Sequence, residues 1–145
     1  MSVLTLAQAS VIVDAALKKG RETNLAPLAV AVLDSGGHLL AFKREDKTGI
    51  LRFDIAFAKA WGALGMGFGS RTLASRAAKT SQFFTMLAAA SGGRIVTNPG
   101  GVLIRDSAGN LVGACGISGD TSDKDEMCAV AGIEAAGLKA EPGVD

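Results

Sequence analysis

His38 is the one histidine among 145 residues, and imidazole is the side chain that most readily exchanges a proton near neutral pH. Shortly after it come Arg44 and Asp46: a guanidinium that can clamp a carboxylate at two points, and a carboxylate that can orient an imidazole. If the three meet in one cavity they form a metal-free acid–base set, with His38 moving the proton and Arg44 holding the substrate. A second group of candidates lies further along the chain. Lys59 is a charge within an otherwise apolar helical stretch, so its amine is either buried at a ligand contact or extended to water. Two glycine-containing loops, Asn98-Pro99-Gly100-Gly101 and Ile117-Ser118-Gly119-Asp120-Thr121, allow close backbone approach. The second runs into a helix start, where free amides and the helix dipole favour an anion. With Asp125 from that helix, Lys59, Asn98, Pro99, Gly100, Gly101, Ser118 and Gly119 form a candidate ligand-binding set.

Each of these residues also has a purely structural reading. The segments Asp34-Ser35-Gly36-Gly37-His38-Leu39-Leu40 and Asp106-Ser107-Ala108-Gly109-Asn110-Leu111-Val112 align without a gap, so His38 stands where a second copy of the turn has Asn110. Arg44 and Asp46 lie among Lys43, Glu45 and Lys47, the composition of a solvated loop. Asp120, Asp123 and Asp125 can serve their own helix terminus. The aspartates at 123 and 125 lack the alternating ligands and closing glutamate of a calcium loop, and no histidine–cysteine cluster exists, so no metal site is expected. Cys115 and Cys128 read as small buried thiols of a reducing compartment.

The elements that must position these residues are legible from spacing. Thr5 and Gln8 form a capping box before a helix with Leu6, Ala9, Val13, Ala16 and Leu17 on its apolar stripe. Residues 28–33 read as a strand buried on both faces, followed by a turn at Asp34 to Gly37 and a second strand over 38–42. Over 51–64 an amphipathic helix carries Phe53, Ala56, Phe57, Ala60, Trp61 and Leu64, leaving Arg52 and Lys59 elsewhere on its surface. Ser70 or Thr72 caps a helix ending near Lys79, and 82–90 is another. Strands are expected at 94–97, 102–105 and 111–117. A last helix starts near Ser122, with Asp125 reaching back and Cys128, Ala131, Ala135 and Leu138 as its apolar face. Five strands joined largely by hairpins imply an α+β domain over 1–145, an antiparallel sheet covered by helices.

Fifteen basic residues against fourteen acidic ones leave no field of one sign, so neither nucleic acid nor an anionic membrane is an expected partner. No apolar run is long enough to span a bilayer, and the first 17 residues lack a signal-peptide pattern, so a cytoplasmic protein is expected.

In order along the chain stand Val32-Leu33-Asp34-Ser35-Gly36-Gly37-His38-Leu39, Arg44-Glu45-Asp46, Ala58-Lys59-Ala60, Asn98-Pro99-Gly100-Gly101, Gly113-Ala114-Cys115-Gly116-Ile117-Ser118-Gly119 and Asp125. This series resembles the GlcG/HbpS family, which includes the C-terminal domain of PduO-type corrinoid adenosyltransferases, and the likeness runs over residues 5–138. The resemblance implies a profilin-like sandwich around a five-stranded antiparallel sheet, assembled as a homo-oligomer from dimer to octamer. It also implies a small-molecule ligand, with haem as a candidate cofactor. Haem-binding relatives place a histidine on the first helix, whereas this chain has Ala15-Ala16-Leu17-Lys18-Lys19 there. Three functions are therefore expected, in order: binding of a small carboxylate, aromatic molecule or haem; a cofactor-independent lyase, isomerase or hydratase using His38; and an assembly partner of a neighbouring enzyme.

Overall fold

The apolar run at 28–33 alternates in size rather than in polarity, and that alternation organises the fold. In the computed structural model, which describes residues 3–145, strand β1 (Ala29–Asp34) turns Ala29 and Ala31 to one side and Val30 and Val32 to the other, all fully buried. With β2 (Leu39–Arg44), β3 (Gly101–Arg105), β4 (Leu111–Ser118) and β5 (Lys139–Glu141) it forms a five-stranded sheet in the order β2-β1-β4-β3-β5. Every neighbouring pair is antiparallel.

Large side chains face one way. Val30, Val32, Val102, Ile104, Cys115 and Ile117 pack against α1 (Leu6–Glu22) and α5 (Ser122–Ala135) in the main core. The other face combines the small residues Ala29, Ala31, Ala114 and Gly116 with Leu33 and Leu103, and α2 (Arg52–Met66) lies on it, at backbone distance where the residues are small. Gly116 makes that approach feasible, since a Cβ there would fall 1.9 Å from the carbonyl oxygen of Ala56. Beyond α2, the helices α3 (Ser70–Lys79) and α4 (Ser81–Ala90) form a hairpin in which α4 buries Phe84 and exposes Phe83 and Met86.

The capping box of α1 is present as expected: the Gln8 amide donates to Thr5 Oγ1 at 3.1 Å, and the Thr5 amide to Gln8 Oε1 at 3.0 Å. The buried line, however, is Ala9, Ile12, Val13, Ala16 and Gly20, while Leu6 is exposed. No strand forms at 94–97. Its backbone is held by α2 instead, through the Val96 amide and the Ala58 carbonyl at 3.4 Å, and the fifth strand is the short β5 at the free edge of β3. Neither Ser70 nor Thr72 caps α3, because the buried Ser70 hydroxyl accepts the Gly101 amide at 2.7 Å and so ties α3 to the start of β3. In α5 the buried face is Asp125, Cys128, Ala129, Gly132 and Ile133, with Ala135 exposed. The helix is rotated so that Asp125 points inward.

Candidate functional site

Strand register gathers four segments at one end of the sheet, where Ala29 pairs with both Arg44 and Ser118, and Gly101 pairs with Gly116. Across this end Lys59 reaches from α2 to the Ile117 carbonyl at 2.9 Å and to Asp125 Oδ2 at 3.2 Å. Asp125 Oδ1 accepts the Asp120 amide at 3.0 Å, so both carboxylate oxygens are engaged. The pair is almost wholly buried, with side-chain exposures of 4% and 1%. Gly100 shapes the passage: its φ of 122° lies where side-chain-bearing residues rarely go, and a Cβ there would sit 2.9 Å from Lys59 Nζ. Loss of hydration pushes the Lys59 amine below its ordinary value and the Asp125 carboxyl above its own, and their mutual attraction opposes both shifts. Of the two placements open to Lys59 the structure has the buried one, made feasible by a partner carboxylate from a helix 66 residues away.

Two turns before Lys59, Arg52 donates to the Ser118 hydroxyl at 3.1 Å. Arg52, Lys59, Ser118, Asp125, Asn98, Ser122 and Asp120, with Ile55 and Val96 as apolar walls, border a cavity of about 210 Å³. Asp120 is held below its usual range by the amides of Ala26 and Thr121, so it stays ionised opposite the cations. Arg52 spends one N–H on Ser118, and a guanidinium has five in a planar fork. The site can thus present a directional cation to an anion over a floor whose own charges are already paired.

Of the residues anticipated for ligand binding, the structure brings Lys59, Asn98, Ser118 and Asp125 to the cavity, with Gly100 directly behind Lys59. Gly101 begins β3, while Pro99 and Gly119 shape the two loops without lining the space. Arg52, Asp120 and Ser122 were not anticipated as ligand contacts. The signal for Arg52 was its seven-residue spacing from Lys59, which puts both on one side of a helix.

The acid–base set is not assembled. His38 sits at the tip of the β1–β2 turn with 81% of its side chain exposed, its Nδ1 3.2 Å from Asp34 Oδ1. Asp34 Oδ1 also accepts the amides of Gly36 at 3.0 Å and His38 at 2.9 Å, as Asp106 Oδ1 does for Ala108 at 3.0 Å and Asn110 at 2.8 Å. Burial pushes the Asp34 carboxyl up, but those amides and the imidazole outweigh it and hold the group below its ordinary value. Arg44 and Asp46 lie at and beyond the far end of β2. At the usual rise per residue that is about 20 Å from His38. They line a separate open cavity of about 390 Å³ with Arg21, Pro27 and Glu45.

Among the described residues no group of three or more His, Cys, Asp or Glu is arranged to hold a metal ion, and no helix is long and apolar enough to cross a membrane. Cys115 and Cys128 are buried, and loss of hydration pushes both thiols up, Cys128 to about 11.

An antiparallel five-stranded sheet between helical layers, with a polar cleft at one end of its strands, defines the class of protein. Residues 4–134 match the family described as haem degrading protein HbpS-like, and the chain belongs to that family. An uncharacterized 15.0 kDa protein from the dhaT-dhaS intergenic region of Citrobacter freundii is 28% identical over 134 residues, 92% of each chain. The crystal structure of Klebsiella pneumoniae protein ORFY superposes with a TM-score of 0.83 at 28% identity, covering 94% of this chain and 92% of that one. A crystal structure of a PduOC:heme complex gives a TM-score of 0.85 at 23% identity, covering 94% and 97%, a likeness of fold.

Proposed function

We propose that this protein binds a small organic molecule bearing a carboxylate in the cleft between α2, the end of β4 and the start of α5. The observation that carries the reading is one cavity holding a half-buried guanidinium beside a buried, mutually satisfied lysine–aspartate pair. Arg52 supplies charge and direction, Ser118 fixes the guanidinium, and Asn98 and Ser122 offer further polar contacts at the rim. The Lys59–Asp125 pair keeps the floor rigid and close to neutral. At about 210 Å³ the space is smaller than the roughly 300–1,000 Å³ of pockets for drug-sized ligands, so the polar end of the ligand is short. A series of short carboxylates and their methyl esters, followed by calorimetry, tests this. The acids bind and the esters do not, and Arg52→Met removes acid binding while leaving the fold intact. Esters binding as well as acids would refute the role given to Arg52.

Haem is the second reading, drawn from the family description and the haem complex of the PduO relative, and one feature of this chain favours it. Met66, Phe83 and Phe84 line an apolar cavity of about 360 Å³ beside Arg76 and Lys79. A thioether, two aromatic rings and two cations suit iron, porphyrin and propionates in turn. Haem titration of the wild type and Met66→Ala checks it: the Soret band of the wild type should shift or weaken in the variant, and identical spectra would remove Met66 as donor. The exposed Phe83 and Met86 of α4 also support assembly of the chain as a homo-oligomer.

A further inference from the structure

We infer that the ligand is an aromatic carboxylate whose ring lies outside the charged cleft, in an adjoining apolar slot between α3, α4 and the extended segment at 95–98. The inference rests on the carboxylate reading above and names the rest of the molecule. The slot has a volume of about 410 Å³, and its wall includes Ala77, Phe84, Ala88 and Ile95. No Lys, Arg, Asp or Glu is among the described residues that line it. Val96 and Asn98 border both this slot and the cavity of Arg52 and Lys59, so the two spaces meet along one stretch of backbone. Asn98 is exposed and Val96 only half-buried, which leaves the shared rim open for a ligand to cross.

Formal charge stops at that rim. On one side stand a guanidinium, an ammonium and two carboxylates; on the other, Ala77, Phe84, Ala88 and Ile95 are interspersed with the hydroxyls of Ser81, Thr85 and Thr97, and none of these side chains is ionised. A molecule that is anionic at one end and apolar at the other matches both sides, and a purely polar acid leaves the larger space wet. The two volumes together fall within the ordinary range for organic ligands, whereas the charged cleft alone falls below it. Ala77 of α3 and Ala88 of α4 both line the slot with small side chains, and Phe84 adds an aromatic ring to its wall. A flat ring also loses less rotational freedom on binding than an alkyl chain of similar area.

Calorimetry on the whole chain with propionate and 3-phenylpropionate tests the inference. The phenyl acid should bind at least about tenfold more tightly, as burial of a ring's apolar area requires. Ala88→Phe fills the slot and should abolish that gain while leaving propionate affinity unchanged. Ala77→Leu does the same from α3 and stands in if the first variant fails to fold by circular dichroism. Equal affinities in the wild type, or a gain that survives both substitutions, would overturn the inference and leave the carboxylate site standing. If neither acid binds, both readings fail.

Discussion

Where β1 turns into β2, the carboxylate of Asp34 serves amides two and four residues away, and Asp106 does the same in the turn between β3 and β4. At the other end of the sheet Lys59 bonds to groups 58 and 66 residues away, and the Asp120 side chain bonds to an amide 94 residues away. The turns are closed by their own sequence and leave His38 in solvent. The opposite end is closed only by tertiary contacts, and there unlike charges are withdrawn from water beside an open cavity. Chemically suggestive residues thus lie at both ends, and the end built from long-range contacts is where we place the proposed ligand.

Substitutions at the two ends should separate in size. Asp125→Ala leaves a buried ammonium unpaired and should cost about 3–5 kcal/mol in urea unfolding. Pairing Lys59→Met with Asp125→Leu should restore most of it, since an apolar pair of similar bulk needs no compensating charge. If the double variant stays as unstable, the bond from Asp125 to the Asp120 amide, rather than the ion pair, holds this end together. Gly116→Ala drives a methyl group into the Ala56 carbonyl and should cost about 1–3 kcal/mol or more by the same measurement, because neither backbone can yield.

At the turn the effects shrink. Asp34→Ala should cost about 1 kcal/mol at neutral pH. The folded carboxyl titrates below its ordinary 3.8, so its stabilisation is complete above that value and fades as pH falls through the lower one. Wild type and variant should therefore converge in strong acid; a deficit that persists there would show that the turn does not depend on the charge. His38→Ala should change the unfolding free energy by less than about 0.5 kcal/mol. A loss as large as that of Asp125→Ala would erase the contrast between the two ends.

Features closed within a few residues were legible in the chain: the capping box at Thr5 and Gln8, the repeated Asp-Ser turn, the apolar helix around Lys59. The expected strand at 94–97 fails because β-branched Ile95, Val96 and Thr97 express a preference, and the partner that arrives is a helix carbonyl. The strand at 139–141 had no such preference to read, since Lys139, Ala140 and Glu141 pair only because β3 offers a free edge. For the candidate site, residues from the two glycine loops and the lysine of the apolar helix, singled out separately along the chain, border one cavity in the fold. The joining of His38 to Arg44 and Asp46 did not survive, because a six-residue strand runs straight between them.

Alternation, capping and turn chemistry act over a handful of residues, so the order of helices and most of the strands was written in the sequence itself. Which of the charged residues would be buried together was decided by the sheet register and the rotation of α5. The cost of dehydrating Lys59 is met only when Asp125, from another helix, reaches the same point, and no local pattern records that meeting.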